Sequence, residues 1–208
     1  MSDATYPVFE TFHSWQGEGE HVGRSAFFIR LYGCPIRCPW CDSAATWQNS
    51  PEILRKIRHT TAAELATVAA ATKPDFVVIT GGEPTIHNLA PLCDALHAAK
   101  LRVHLETSGA FEICGNVDWI TLSPKTKKLP LRNNLTRADE LKLIIGDKAD
   151  LFFWAKEIAG CTARSVWLHP EWSQRENPDV LAAISAWVRD SGSPYRAGWQ
   201  LHKLYGAE

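Results

Sequence analysis

The reading of this chain turns on the run Ala26-Phe27-Phe28-Ile29-Arg30-Leu31-Tyr32-Gly33-Cys34-Pro35-Ile36-Arg37-Cys38-Pro39-Trp40-Cys41. Residues 26–31 are apolar, aromatic and β-favouring apart from Arg30, the pattern of a buried strand. Three cysteines follow it at once, at spacing C-x3-C-x2-C. A second strand pattern, FVVIT at residues 76–80, runs directly into Gly81-Gly82-Glu83-Pro84. Its Val-Val-Ile centre suits a strand buried on both faces, as parallel sheets require. Two strands, each emptying into a loop of chemistry-bearing residues, suggest a parallel α/β sheet with its site at the carboxyl ends of the strands.

Outward from these two strands the alternation continues. Thr61-Ala62-Ala63-Glu64 is a capping box that opens an Ala-rich helix to about residue 72. Residues 89–99 read as a helix and 102–106 (RVHLE) as a strand, with further strands at 119–122, 140–145 and 165–168. Helices are expected over 149–159 and over 178–190, the latter with Asn177 as N-cap and Pro178 at its first position. A last strand is expected over 197–201. Residues 111–117 are too few for an ordinary crossover helix, so one connection is degenerate. No linker or repeat divides the chain, which predicts one domain over residues 1–208. Strand–helix alternation implies right-handed crossovers. At 208 residues the chain falls short of the ~250 of a complete eight-stranded barrel. The fold expected is therefore α/β, an abbreviated, partial (β/α)6-type barrel.

Composition narrows the function. The 22 Lys and Arg balance 23 Asp and Glu, leaving no basic footprint for nucleic acid. No run of about 18 apolar residues would cross a membrane, and residues 1–12 lack the pattern of a secretory signal. A cytoplasmic location is expected, where the six cysteines stay reduced. Cys93 falls in a helical apolar pattern and reads as packing, as do Cys114 and Cys161, which carry no motif. His202 reads as a surface or satisfied histidine.

Three thiolates on one tight loop can hold three irons of a 4Fe–4S cube and leave the fourth open. Electron-transfer clusters usually take four cysteines, so three point to a coordination site available for chemistry. The same spacing also suits zinc, with a fourth ligand such as His13, or three packed thiols. Trp40 is placed to shield such a centre and to stack on a nucleobase. The paired glycines admit a close backbone approach by a ligand, and Glu83 can accept hydrogen bonds from an ammonium group.

Together, C-x3-C-x-aromatic-C after one strand and Gly-Gly-Glu-Pro after the next resemble the radical S-adenosylmethionine superfamily. Further elements are Trp15-Gln16-Gly17-Glu18-Gly19, Cys41-Asp42-Ser43, Glu106-Thr107-Ser108-Gly109, Ser123-Pro124-Lys125, Glu140-Leu141-Lys142 and Gln200-Leu201-His202-Lys203. The ordered set, from about Phe9 to Lys203, is similar to the 7-carboxy-7-deazaguanine synthase family. That resemblance implies ring contraction of 6-carboxy-5,6,7,8-tetrahydropterin with loss of ammonia, in queuosine and deazapurine biosynthesis. It implies a 4Fe–4S cluster on Cys34, Cys38 and Cys41. S-adenosylmethionine would lie near Trp40, Gly82, Glu83, Glu106, Ser123, Pro124 and Lys125. The pterin would lie near Trp15, Gln16, Gly17, Arg30 and Thr80. Mg2+ would sit on Ser43, where the family often has Thr. No side chain is assigned as catalytic beyond the cofactor itself. An electron donor such as flavodoxin and a homodimer are also implied.

Each assignment has a physical sense. Mg2+ takes few protein ligands and completes its shell with water and substrate oxygens. The Arg30 fork suits a carboxylate or a pterin edge, and Gly17 lets a flat ring approach. Rival readings are a short radical enzyme that activates a glycyl-radical partner, and a non-catalytic zinc or Fe–S module.

Overall fold

The computed structural model describes residues 4–207. Its strands are β1 (Thr5–Trp15), β2 (Ser25–Leu31), β3 (Arg58–Thr61), β4 (Phe76–Gly81), β5 (Val103–Thr107), β6 (Trp119–Leu122), β7 (Glu140–Ile145), β8 (Ser165–Pro170) and β9 (Tyr195–Ala197). Its helices are α1 (Pro51–Leu54), α2 (Ala62–Thr72), α3 (Ala90–Ala98), α4 (Arg132–Arg137), α5 (Lys148–Glu157), α6 (Pro178–Ser191) and α7 (Leu201–Tyr205). The strands form one sheet ordered β3-β1-β2-β4-β5-β6-β7-β8-β9. From β2 to β9 every neighbouring pair is parallel, while β1 runs antiparallel to both β2 and β3. The two edge strands, β3 and β9, do not meet. The barrel is partial, as the chain length implies.

Strand alternation sorts the residues onto two faces. Phe27, Ile29 and Leu31 of β2, Val77 and Ile79 of β4, and Val103 and Leu105 of β5 enter the main core, joined by Leu141, Leu143 and Ile145 of β7. Against them pack Leu65 of α2, Leu92 and Leu96 of α3, Leu151 and Trp154 of α5, and Val180 and Ile184 of α6. Fully burying one such aliphatic side chain contributes roughly 1.5–3 kcal/mol. On the inner face Ala26, Phe28, Phe76 and Val78 form a second, smaller apolar layer with Phe12. Residues 76–79 are therefore buried on both faces, as their sequence pattern requires.

The helices start where their caps dictate. Thr61 Oγ1 accepts from the Glu64 N–H while a Glu64 carboxylate oxygen accepts from the Thr61 N–H. Asn177 accepts from the Asp179 N–H, with Pro178 in the first turn of α6. Between β5 and β6 there is no helix, so that crossover is degenerate as expected.

Three segments differ from their sequence pattern. Residues 5–15 form the long β1, although Pro7 and interspersed polar residues break any apolar run; only Tyr6 and Val8 of this strand are buried. Residues 42–60, a polar stretch in sequence, hold α1 and the first part of β3, and α4 adds a short helix before β7. The expected strand over 197–201 is displaced: β9 ends at Ala197, and residues 201–205 are helical. Apolar alternation in Trp199-Gln200-Leu201 imitates a strand, but the Leu201 N–H bonds the Gly17 carbonyl and turns the chain over the sheet.

Candidate active site

The carboxyl ends of the parallel strands open onto a cavity of about 360 Å3, within the range of small-molecule sites. Every residue put forward from the sequence as a ligand-binding residue lines it except Pro124, which is buried between Ser123 and Lys125. β2 contributes Arg30 and then the cysteine loop, β4 contributes Thr80 and the glycine turn, and β5 contributes Glu106. Ser123 and Lys125 follow β6. Trp15, Gln16 and Gly17 approach from the end of β1, and Ser43 from beyond the cysteines.

The glycine turn and the cysteine loop are held together by backbone. The Gly82 N–H donates to the Leu31 carbonyl at 2.9 Å and the Glu83 N–H to the Gly33 carbonyl at 2.8 Å. A Cβ at Gly82 would lie 2.2 Å from the Gly33 oxygen and 3.0 Å from the Cys34 Cβ. Only glycine permits this approach, so the second motif sets where the first one sits.

Glu83 has a different role from that of a free acceptor. Its buried carboxylate accepts from the Thr85 N–H at 3.1 Å, the Thr85 hydroxyl at 2.7 Å and the Thr107 hydroxyl at 2.6 Å. The Ser108 N–H, at 2.9 Å, and the Ser108 hydroxyl complete five donors. A carboxylate has about four acceptor positions, so its side chain is already fully engaged in tying the β4 turn to β5. Ser108, which the sequence left without a role, supplies two of those donors.

Around the thiols the field is mixed. Cys34 and Cys41 flank Cys38 beside Ile36, Ala110 and Phe111. Burial pushes the Cys38 thiol up, the Lys125 cation pulls it back, and the two flanking thiols add to the rise. Burial, then the charge of Lys142, brings the Lys125 ammonium down to about 8. Lys125 donates to the Ser123 carbonyl and hydroxyl at 2.7 and 2.6 Å and lies 5.3 Å from the centre of the Trp40 ring. The Ser43 hydroxyl stands 3.7 Å from the Cys41 sulfur.

These residues fit a cluster better than a single ion. Among the described residues no three His, Cys, Asp or Glu side chains converge as one metal ion demands. A cube asks instead that each thiolate reach its own iron, and all three thiols face one cavity. His13 is no fourth ligand: it pairs with Phe27 well below the cysteines and bonds the Ser25 hydroxyl at 2.9 Å. Cys93 is fully buried in the main core, its thiol pushed by burial up to about 12. Cys161 is half-buried and donates to the Leu135 carbonyl. Cys114 is exposed rather than packed.

A charged network crosses the cavity wall. The Lys142 ammonium lies 2.7 Å from Glu18 and 3.3 Å from Glu106. Gln16 donates to Glu106 at 2.9 Å, and Gln200 donates to Glu18 at 2.8 Å and to Asp42 at 3.1 Å. Burial disfavours the charge on Lys142, yet the two carboxylates outweigh it and hold the ammonium well above its ordinary range. Glu18 behaves conversely: burial raises it, but Lys142 and then His169 drive it far below the usual carboxylate range. Lys142 and Glu18 were visible in sequence only as motif members. The alternation Glu140-Leu141-Lys142-Leu143 was the available signal for a lysine facing inward.

Arg30 is gripped on one edge by Glu10, 2.7 Å from its Nε, with its guanidinium 5.4 Å from the centre of the Phe12 ring. Arg30 also lines the cavity. Gly17 lines the cavity and is also closely approached from behind: a Cβ there would fall 2.1 Å from His202 Nδ1. His202 therefore belongs to the site, half-buried against Gly17 and lining the cavity. Lys203 lies beside it, 3.2 Å from Asp42. α7 thus lies across the cavity, which neither its composition nor its periodicity signals.

Comparison with known proteins agrees with this geometry. The model of the Radical SAM superfamily matches residues 28–126. The 7-carboxy-7-deazaguanine synthase of Synechocystis sp. is 45% identical over 97% of this chain and 93% of its own length. That of Prochlorococcus marinus is 37% identical over 96% and 97%. The crystal structure of QueE from Escherichia coli superposes with a TM-score of 0.80 at 31% identity, covering 95% of each chain. The chain belongs to the 7-carboxy-7-deazaguanine synthase family of radical SAM enzymes.

Proposed function

We propose that this chain converts 6-carboxy-5,6,7,8-tetrahydropterin to 7-carboxy-7-deazaguanine and ammonia, a step of queuosine and deazapurine biosynthesis. The observation that carries the proposal is that the three cysteines, the Gly81–Gly82 turn and the Gln16–Gly17 loop line one cavity, in a chain 45% identical to a synthase of that name. Cys34, Cys38 and Cys41 would hold a 4Fe–4S cluster, which together with S-adenosylmethionine would supply a 5′-deoxyadenosyl radical.

The protein's task is then placement. The backbone of the Gly82 turn offers carbonyls to the methionyl ammonium, its N–H groups being spent on the Leu31 and Gly33 carbonyls, with Glu83 bracing that turn rather than reaching out. Trp40, Glu106, Ser123 and Lys125 border the cofactor, and Pro124 fixes the strand end that carries two of them. Arg30, Thr80, Trp15 and Gln16 hold the pterin, the Arg30 fork taking a carboxylate or ring edge. The Ser43 hydroxyl would be the side-chain ligand for Mg2+, a cation that takes few protein ligands. Residues 1–208 act as one catalytic domain, as a homodimer in the cytoplasm. Electrons come from a carrier such as flavodoxin, and no nucleic acid or membrane takes part. Among the described residues no helix is long and apolar enough to cross a membrane.

The test is anaerobic. Protein reconstituted with iron and sulfide receives reductant, Mg2+, S-adenosylmethionine and the pterin. The expected result is 7-carboxy-7-deazaguanine with a requirement for Mg2+. Cofactor cleavage without ring contraction would instead indicate another substrate, such as a glycyl-radical partner, and a colourless zinc protein would overturn the enzyme reading altogether.

A further inference from the structure

The charged network described above includes a residue that neither the cofactor nor the pterin assignment uses. Lys142 sits on the inner face of β7, between two carboxylates that reach it from different parts of the chain. Glu18 belongs to the loop after β1, and Glu106 to the end of β5. The Glu106 carboxylate and the Glu18 backbone both meet Gln16. Glu106 accepts from the Gln16 amide at 2.9 Å, while the Gln16 amide oxygen accepts from the Glu18 N–H at 3.2 Å. The Gln16 side chain is thereby fixed in one of its two orientations, donor toward β5 and acceptor toward its own loop.

We infer that Lys142 is a positioning residue for the pterin: by bridging Glu18 and Glu106 it docks the loop after β1 onto the sheet and sets the orientation of the Gln16 amide. This rests on the proposed function, because it assumes that Gln16 meets the substrate. Without the ammonium, two carboxylates would face each other across a poorly solvated gap, where like charges repel and move apart. Glu106 would withdraw from Gln16, and the freed amide would turn and exchange donor for acceptor. A ligand read by its own donor–acceptor edge would then meet the wrong group.

The experiment compares wild type, Lys142→Met and Lys142→Arg as cluster-loaded proteins. Pterin binding is read at equilibrium by tryptophan fluorescence before any reductant is added, and KM and kcat are read afterwards. Lys142→Met is expected to raise Kd and KM about tenfold, the scale of one misdirected hydrogen bond, with a much smaller change in kcat and the cluster absorbance retained. Lys142→Arg, whose fork spans both carboxylates, is expected to restore most of the affinity. If the unpaired carboxylates prevent Lys142→Met from folding, Glu18→Gln keeps Lys142 paired with Glu106, weakens the bridge and is expected to raise Kd about threefold. An unchanged Kd in the folded variant would overturn the inference. So would a loss of kcat at constant Kd, or an arginine variant as impaired as the methionine one. Wild type that binds the pterin but makes no product would refute the proposed reaction and leave the binding comparison readable.

Discussion

On the inner face of β5, His104 and Glu106 stand two residues apart and meet opposite surroundings. His104 is buried in a plug of rings: its imidazole stacks on Phe76 at 3.9 Å, with His21 at 4.7 Å and Trp119 at 6.2 Å. Among the described residues its Nε2 has no hydrogen-bond partner. Glu106, one pleat higher, lies among Gln16, Lys142 and the cavity. The same strands therefore build a dry floor and a charged mouth. The floor gives the sheet an inner core that an incomplete barrel would otherwise lack. The mouth is free to carry charge because the floor and the outer face already bury the apolar surface.

The largest effect is expected in the mouth. Cys38→Ala should abolish the visible absorbance of the reconstituted cluster and all product formation. Cys93→Ala, in the main core behind the sheet, should keep the cluster and lose only stability. Anaerobic absorption spectra of the two variants check this, and equal loss of cluster in both would erase the distinction between mouth and core.

Glu83 tests whether the mouth is held as firmly as the floor. Glu83→Gln puts an NH2 group against donors from Thr85, Thr107 and Ser108, so at least one buried pair becomes donor against donor. Breaking a buried, charged hydrogen-bond hub costs on the order of 3 kcal/mol. Thermal or urea unfolding should show a loss of that size, together with reduced S-adenosylmethionine affinity from a displaced Gly82 turn. A variant as stable as wild type would mean that the hub is not needed to hold the turn.

Much of this was legible in the sequence, and unevenly so. The parallel strands were visible because burial on one or both faces writes an apolar pattern, as in FVVIT and in RVHLE. The cysteine and glycine motifs were visible because each strand ends where its chemistry begins. β1 was not visible, since it is held mainly by ladder hydrogen bonds to β2 and β3 and buries few side chains. Gly17 showed that a backbone was approached closely, but not by what: the neighbour is His202, distant in sequence. The same holds for Glu83: Thr85 is two residues away, but the other three of its five donors come from Thr107 and Ser108, which no local spacing links to it. Contacts made across the fold leave no periodicity to read.

The smallest effect belongs to the floor, and it concerns acidity. Burial, then the nearby His21, brings the His104 imidazole down to about 3, against an ordinary value of 6.5. An unfolded chain takes up a proton on this histidine near 6.5, whereas the folded chain refuses it until about 3. Between those values the unfolded state binds more protons, so stability must fall as pH falls through that window. From pH 7 to pH 5 the loss from this residue alone is about 1–2 kcal/mol. His104→Phe keeps a ring on Phe76, removes the unpartnered Nε2 and removes the proton site. It should leave product formation at pH 7 intact and lose less stability than wild type on going to pH 5, as measured by thermal unfolding at both values. The slope should flatten without vanishing, because burial also brings His169 down to about 4. Should the variant lose activity at pH 7, the floor would be part of the site, and the division between the two layers of the inner face would not hold.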